Sequence, residues 1–386
     1  MAKDVLKAFA SLKLTVVLLV LSMLLIFAGT LAQVESGVWT VVDQYFRSAI
    51  VRVDFQIFVP RSIARIPGAI ILPGGALIGA MLFVNLVAAH VSRFKYRLKN
   101  AGIIVVHLGI LLLIVGEFVT GIAAREGRMT ILEGESSNYA EDIRSCELAV
   151  IDQSDSQDDF VVVVPQRLLS HDSATISNGL LPFEVRVDQW MGNSRIERVS
   201  QPDASMSTAF AQMFRAIPLP PANGVDGGTV DVPSAYITLI DSGHELGRYL
   251  VSVHVNQPQQ VRVNGRRYLI QLRFARDYKP YRIELIDFRH DKFVGTETPR
   301  NFSSQIRLID PERGVDRETI IKMNHPLRYA GETLYQASYK PDNSGTVLQV
   351  VRNPGWLIPY ISCTMVAVGM LFHFGRRLSS RGVSRS

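Results

Sequence analysis

Two kinds of residue are scarce in this sequence, and both shortages limit what the protein is. Only 2 of its 386 residues are cysteines, which is too few for a disulfide scaffold or a four-thiolate zinc site. Charged residues make up 20%, below the ~25% of typical globular domains, while hydrophobic residues make up 47%. This balance excludes a disordered chain and indicates segments that span a membrane.

Motifs of the common soluble enzymes are also missing. The sequence has no P-loop, no dinucleotide-binding glycine pattern, no Gly-x-Ser-x-Gly elbow and no His-Glu-x-x-His zinc motif. Its net charge of +6 does not indicate nucleic-acid binding. The basic residues gather beside apolar runs, where they set the orientation of membrane helices.

Long apolar runs are what the sequence does contain, and each reaches the ~20 residues that cross a lipid bilayer. They predict transmembrane helices at about residues 14–32, 67–90, 101–124 and 354–374. The first run follows several lysines and precedes small residues, so a cleaved signal peptide is an alternative reading of it.

Basic residues flank the apolar runs in clusters, and these clusters predict the topology. Lysine and arginine in short loops favour the cytosolic side of the membrane. The clusters consist of Lys3, Lys7 and Lys13; of Arg93, Lys95, Arg97 and Lys99; and of Arg376, Arg377, Arg381 and Arg385. Both termini are therefore predicted to be cytosolic. The predicted domains are a membrane region at 1–124, an extracytoplasmic domain at 125–353, and a final helix with a basic tail at 354–386.

The extracytoplasmic domain is predicted to be rich in β-structure. Short β-branched or aromatic segments are bounded by turn residues, at 160–164, 183–187, 249–255, 268–274 and 281–288. An internal repeat matches Asn256-Gln257-Pro258 to Asn324-His325-Pro326, Gly265 to Gly331, and Tyr278-Lys279-Pro280 to Tyr339-Lys340-Pro341. This repeat predicts two related halves of a sandwich-like sheet.

His107 interrupts the third apolar run, and an imidazole at that depth needs a partner. Its loss of hydration costs roughly 1–3 kcal/mol if nothing compensates it. A neutral imidazole can bind haem iron or another metal, carry a proton, or form a hydrogen bond to another helix. His90 and His373 fall at the same predicted membrane face. As a set, the three histidines permit a metal or haem port.

Two other features of the third run are expected to be structural. Gly102, Gly109 and Gly116 recur every seven residues and would let another helix approach closely. Glu117 is expected to form an ion pair with Arg125.

The sequence resembles the ResB family of cytochrome c biogenesis membrane proteins. The resemblance rests on residues 11–19 leading to 29–33, on His107-Leu108-Gly109, and on a later series of residues. That series contains Asn324, Pro326, Gly331, Tyr335 and Gln336. The order of three helices, a large domain and a fourth helix is also similar.

The resemblance implies a membrane subunit of the system II pathway in the bacterial cytoplasmic membrane. Such a subunit works with a ResC (CcsA) partner to carry haem from the cytosol to the outer face and present it with apocytochrome c. His107 matches the family's membrane histidine and would give haem iron an axial nitrogen, with His90 and His373 as further candidates. The cargo would be transiently bound b-type haem, with no other metal.

The family assigns covalent haem attachment to the partner, which carries a tryptophan-rich loop. Here Trp39, Trp190 and Trp356 are isolated, so the chain is expected to be a non-catalytic subunit of a haem lyase complex. No catalytic residue is assigned. A membrane-anchored β-domain that serves as a non-haem envelope assembly or transporter accessory protein is the alternative.

Overall fold

The chain folds into a membrane unit, Met1–Arg125 with Arg352–Ser386, and a β unit that occupies most of the sequence between them. The computed structural model describes residues 2–59, 64–93, 97–155, 158–222, 230–292, 299–340 and 342–383. Lys95 and Arg385 of the basic clusters, and Pro341 of the repeat, lie outside the described residues.

The helices alternate with strands along the chain, and the longest helices belong to the membrane unit. The helices are α1 (Ala2–Phe9), α2 (Leu12–Ser36), α3 (Val38–Val41), α4 (Gly75–Ser92), α5 (Ala101–Ala123), α6 (Gln166–Leu169), α7 (Ala209–Met213) and α8 (Ile358–Val383). Four of them are apolar and long enough to span a membrane, at Leu12–Val34, Gly75–Ser92, Ala101–Ala123 and Ile358–Leu378. The predicted class of three N-terminal helices, a β-rich domain and one C-terminal helix is confirmed.

Two of these helices begin later than the apolar runs suggested. Residues 69–73 form a strand that pairs antiparallel with Ile50–Asp54, and α4 begins only at Gly75. Pro73 and Gly74 explain the boundary, because proline restricts the residue before it to extended backbone and is best tolerated at a helix start. Likewise α8 begins at Ile358 rather than near residue 354. Apolar composition alone does not distinguish such a strand from a helix.

Most strands belong to the β unit. The strands are β1 (Ile50–Asp54), β2 (Ala69–Pro73), β3 (Arg125–Leu132), β4 (Ser136–Asp152), β5 (Phe160–Pro165), β6 (Thr175–Ile176), β7 (Glu184–Met191), β8 (Ser194–Arg198), β9 (Phe214–Pro218), β10 (Ser234–Asp241), β11 (His244–Ser252), β12 (Gln259–Val263), β13 (Arg266–Lys292), β14 (Pro299–Asp310), β15 (Val315–Lys322), β16 (Leu327–Tyr329), β17 (Glu332–Tyr339) and β18 (Gly345–Arg352).

Two hydrophobic cores lie within the β unit. The first is a sandwich: the sheet β11-β10-β7-β6 packs against β4, β5, β12 and β13, with Leu148, Ile237 and Ile270 fully buried between them. The second core is enclosed by the curled remainder of the large sheet, which runs β15-β14-β13-β4-β3-β18-β17-β16. Met129, Leu308 and other buried side chains fill that core.

The long strands β4 and β13 contribute to both cores. The sequence predicted separate strands at 268–274 and 281–288, but both belong to the 27-residue β13. Pro280 lies inside this strand, where it cannot donate a ladder hydrogen bond. It is tolerated because the register with β4 is interrupted between Tyr278 and Ile283.

The predicted internal repeat is present in the order of the strands. Each half is a hairpin, then the Asn-x-Pro segment, then a second hairpin: β10 to β13 in the first half and β14 to β17 in the second. Both second hairpins turn through two residues of positive φ, Asn264 and Gly265 at 50° and 78°, and Ala330 and Gly331 at 51° and 78°. Such turns match the twist of paired strands and favour glycine.

A buried ion pair joins β13 to β17. Lys279 Nζ lies 2.6 Å from Glu332 Oε1, and the two side chains are only 6% and 7% exposed. The Tyr281 hydroxyl donates to Glu332 Oε2 at 2.6 Å. Burial and this carboxylate raise the pKa of Tyr281, so the hydroxyl stays a donor at ordinary pH.

Replacing Glu332 with glutamine should destabilise the β unit by about 1–3 kcal/mol, because the buried Lys279 ammonium then keeps only its more exposed partner, Asp277. Hydrogen–deuterium exchange of β13 and β17 in the whole chain would measure the loss. Asp316→Asn is the matched control, since its pair with Arg307 is about half exposed and should change little. Equal effects of the two substitutions would contradict the burial argument.

A second polar contact in this core makes the β unit sensitive to acid. The Tyr329 hydroxyl donates to Asp310 Oδ2 at 2.6 Å, and Asp310 is 1% exposed. This hydrogen bond, together with the backbone N–H and charge of Arg313, lowers the pKa of Asp310 below its ordinary value. The resulting stabilisation is complete above the ordinary carboxyl pKa and disappears as the pH falls through the lowered one.

Tyr329→Phe should therefore lower the unfolding temperature of the β unit at pH 7. The difference from wild type should shrink as the pH falls below the ordinary carboxyl pKa. Thermal unfolding between pH 7 and pH 3 checks this. Tyr335→Phe, at a tyrosine that is 39% exposed, is the control and should show no such pH dependence.

Candidate functional site

His90 of α4 and His107 of α5 lie side by side in the membrane unit. Their ring centroids are 5.5 Å apart and the rings meet edge to face, at 79°. His90 is 6% exposed, and His107 is partly buried. Two histidines that are distant in the sequence are thus brought into one site, within helices long enough to span a membrane.

Each imidazole is oriented by its own helix. His90 Nδ1 lies 2.9 Å from the carbonyl oxygen of Leu86, and His107 Nδ1 lies 2.8 Å from that of Ile103. A carbonyl oxygen only accepts hydrogen bonds, so each neutral ring carries its proton on Nδ1 and its lone pair on Nε2. This is the usual arrangement of a metal-binding histidine, whose other ring nitrogen donates to a carbonyl or carboxylate.

His373 lies near this end of α5 but makes different contacts. A Cβ on Gly102 would lie 2.7 Å from the backbone nitrogen of His373, so α8 crosses α5 closely at that level. The described ring contact of His373 is with Phe374, at 5.5 Å between centroids. The structure therefore pairs His90 with His107 and places His373 on the neighbouring helix.

The glycine stripe of α5 does allow the close helix approach expected from the sequence. Added Cβ atoms on Gly109 and Gly116 would lie 2.8 and 2.5 Å from side chains of Val366 and Ile358 in α8. All three stripe glycines are buried. Small residues are a common way to bring membrane helices together, and here they fix the face that α5 presents to α8.

The residues of the second repeat that carry the family resemblance have mainly structural roles in the β unit. Asn324, at φ 60°, and Pro326 form the turn between β15 and β16, and Gly331 forms the next turn. Tyr335 is 39% exposed on β17, whereas Gln336 is buried. Gln336 accepts from Ser304 Oγ at 2.6 Å and donates to Thr346 Oγ1 at 2.7 Å. Turn geometry and core hydrogen bonds account for most of this set.

The donor groups available limit the chemistry of the histidine pair. Among the described residues, no group of three or more His, Cys, Asp or Glu side chains is placed to hold a metal ion. A pair of imidazoles does not build a tetrahedral zinc site. It can supply an axial nitrogen to an iron whose remaining ligands come from a porphyrin.

Asn85 is a polar residue of the membrane unit that the sequence analysis missed. Its side chain is 3% exposed and joins three helices. Thr15 Oγ1 donates to Asn85 Oδ1 at 2.7 Å, and Asn85 Nδ2 donates to the carbonyl oxygens of Phe9 and Ser11. The sequence does contain a signal for this contact, because Asn85 is a lone amide inside an apolar run. Such a residue often forms hydrogen bonds between membrane helices.

Cys146 is a buried core residue rather than a reactive thiol. It is 2% exposed, and burial raises the pKa of its thiol to about 12. Because the thiolate is the reactive form, this cysteine is inert at neutral pH.

A polar groove of about 590 Å³ lies in the β unit, against β7, β10 and β11. Its charges are largely neutralised within it. Asp188 accepts from Arg186 Nε, Arg248 Nε and Thr238 Oγ1, and Glu245 accepts from Arg186. The groove therefore has no strong preference for one sign of ligand charge.

Comparisons with known proteins match part of the chain. Residues 245–347 match the model of the ResB-like family. Protein NrfI of Wolinella succinogenes is 31% identical over 94 residues, which are 24% of this chain and 10% of NrfI. The chain thus matches about a tenth of the length of that relative. A solved structure titled cytochrome c heme lyase CcmF aligns with 78% of this chain and 30% of its own, at 10% identity and a TM-score of 0.20.

The α5–α8 contact makes a prediction about Gly102. An alanine methyl there would lie 2.7 Å from backbone atoms of Gly369 and His373, so α8 must move, at a cost of ~1–3 kcal/mol. Gly102→Ala should lower the thermal stability of the whole chain in detergent. Gly79→Ala in α4, where an added Cβ meets nothing within 4 Å, should not. Equal thermal stability of the two variants would contradict the close packing of α5 on α8 at Gly102.

Proposed function

We propose that this chain, whose residues 245–347 match the model of the ResB-like family, is a membrane subunit in cytochrome c biogenesis. It carries haem from the cytosol to the outer face of the bacterial cytoplasmic membrane. There it presents the haem, with apocytochrome c, to a ResC (CcsA)-type partner that attaches it covalently. Both termini are cytosolic in this proposal, and the β unit is extracytoplasmic.

The single observation that carries the proposal is the oriented pair His90 and His107. The hydrogen bond from His107 Nδ1 to Ile103 sets the tautomer that leaves Nε2 able to bind iron. We assign His107 as the axial ligand, in agreement with the family resemblance. His90, at 5.5 Å between ring centroids, is in contact with that ring and restricts its movement.

The chemistry of haem suits this part of the membrane unit. The macrocycle is planar and apolar, and the helix surface beside His107 is apolar, with Leu108 42% exposed. The propionates are anionic, and basic residues follow α4 and end α8, among them Arg93 and Arg376. Arg376 Nη1 donates to the carbonyl oxygen of Leu98, beside the start of α5. Bound haem would supply the iron, and the chain would supply the nitrogen ligand and an apolar surface.

The attachment step is assigned to the partner. Thioether formation needs the reduced cysteines of apocytochrome c, and Cys146 of this chain is buried with its pKa raised to about 12. The role of this subunit is therefore to bind, orient and hand over the haem.

Replacing His107 with glycine should remove at least nine-tenths of the haem that purifies with the complex, because the iron loses its axial nitrogen. Added imidazole should restore the visible spectrum, since it can occupy the space that the side chain leaves. Visible absorption of the whole chain, purified with its partner before and after imidazole, measures both effects. His244→Gly, in an exposed hairpin of the β unit, is the matched control.

Two outcomes would overturn parts of this proposal. Haem content that is unchanged in His107→Gly would make His107 a packing residue. A colourless wild-type complex would reject haem delivery and leave the membrane-anchored β-domain that assists a non-haem assembly or transport process.

A further inference from the structure

Glu117 is a charged residue within a membrane-spanning helix, and its side chain is exposed on the surface of the membrane unit. It belongs to the span Ala101–Ala123, six residues before the helix end, or ~9 Å along the axis. The ion pairs among the described residues include neither Glu117 nor Arg125, so the pair expected from the sequence is not formed.

The direction of the side chain keeps the carboxylate inside the span. Cα–Cβ bonds in an α-helix tilt toward the helix N-terminus. The side chain of Glu117 therefore leans from Ala123 toward the middle of α5, away from the nearer end. A carboxylate that leans into hydrocarbon is costly unless it meets a cation, a hydrogen-bond donor or a water-filled cavity.

Glu117 lies on a face of α5 that the membrane unit does not use. Ile110, Leu113, Glu117 and Gly121 follow one another at helical spacing, and we call them the Glu117 face. Ile110 is 38% exposed and Leu113 42% exposed, and an added Cβ on Gly121 would meet nothing within 4 Å. Around the helix axis, Glu117 is about 80–100° from Gly109 and Gly116, which pack on α8, and about 80° from His107, which meets α4, so this face lies between those two contacts.

The cationic and imidazole side chains of this chain's spans gather at the other end of the membrane unit. Within the four spans they are Lys13, His90, His107, His373, Arg376 and Arg377. The described contacts hold these ends together: α2 to α4 through Asn85, α4 to α5 through the histidines, and α5 to α8 at Gly102. The described spans of a parallel second copy would therefore offer no cation at the level of Glu117.

We propose that the Glu117 face docks a transmembrane helix of a different membrane protein, and that this helix carries a lysine, arginine or histidine at the level of Glu117. The inference rests on the proposed function, since it gives the partner of that complex a binding face. Charge complementarity selects the occupant, and Gly121 lets the helices approach closely at the same position.

Photo-crosslinking in native membranes tests the proposal. A photoreactive residue replaces Leu113 in the whole chain, and mass spectrometry maps the crosslinked peptide. The same residue replaces Val115 as the control, because two positions along a helix are about 200° apart. We expect the Leu113 probe to label a transmembrane segment that contains a cation within one turn of the label. We expect the Val115 probe to label lipid or other segments.

Charge substitutions then test the ion pair. Glu117→Lys should reduce the crosslink from position 113 at least tenfold, and Glu117→Gln should weaken it less, because an amide still forms a hydrogen bond. Changing the partner's cation to glutamate should restore the crosslink to Glu117→Lys. Val115→Lys controls for the general effect of a lysine at this depth and should leave the crosslink intact.

Three results would overturn the inference. They are labelling of lipid alone from position 113, a crosslinked helix without a cation, and a crosslink that Glu117→Lys does not change. The haem spectrum of the same membranes separates this inference from the proposed function. A charge-dependent crosslink in a colourless complex would keep the docking face and reject haem delivery. A coloured complex without the crosslink would reject the docking face and leave haem delivery in place.

Discussion

The cost of placing polar groups in hydrocarbon organises the membrane unit. Asn85, His90 and His107 each hold a polar side-chain atom in a hydrogen bond within the helices, through a neighbouring helix or a carbonyl one turn away. Glu117 is the contrasting case, since its carboxylate is exposed on the helix surface. The three hydrogen-bonded side chains lie where helices of this chain pack together. Glu117 instead marks the face to which we assign a further helix.

The two units solve the burial of polar groups in different ways. In the β unit, charged side chains are buried where long strands pass from one core to the other, and they are matched in pairs, as Lys279 with Glu332 and Arg273 with Glu147. Among the described residues of the membrane unit, the buried polar side chains are an amide, an imidazole and a hydroxyl, and each forms a hydrogen bond to a backbone carbonyl. The difference follows from the surroundings, because further hydrogen bonds can complete an ion pair in a protein core, as Tyr281 does for Glu332, whereas a charge exposed to lipid has no such partners.

Much of this architecture could be predicted from the sequence, and the misses have physical reasons. Helix number, the β-rich domain and its repeat follow from apolar runs, strand-like segments and turn residues. The late start of α4 was missed because residues 69–73 are apolar in either conformation, and only pairing with β1 makes them a strand. The continuity of β13 was missed because Pro280 normally ends a strand, and a local loss of register permits it. The contact between His90 and His107 could not be predicted, because it depends on how α4 and α5 rotate about their axes.

The packing of α5 on α8 has a consequence for biosynthesis. The whole β unit lies between these two helices in the sequence, yet Gly109 of α5 fits against Val366 of α8. During synthesis on the ribosome, α4 and α5 can bring His90 to His107 at once, whereas α8 emerges only after the β unit has been made. The glycine surface of α5 therefore stays without its α8 partner while the β unit is translated, and the packing of the membrane unit is completed last by the final helix.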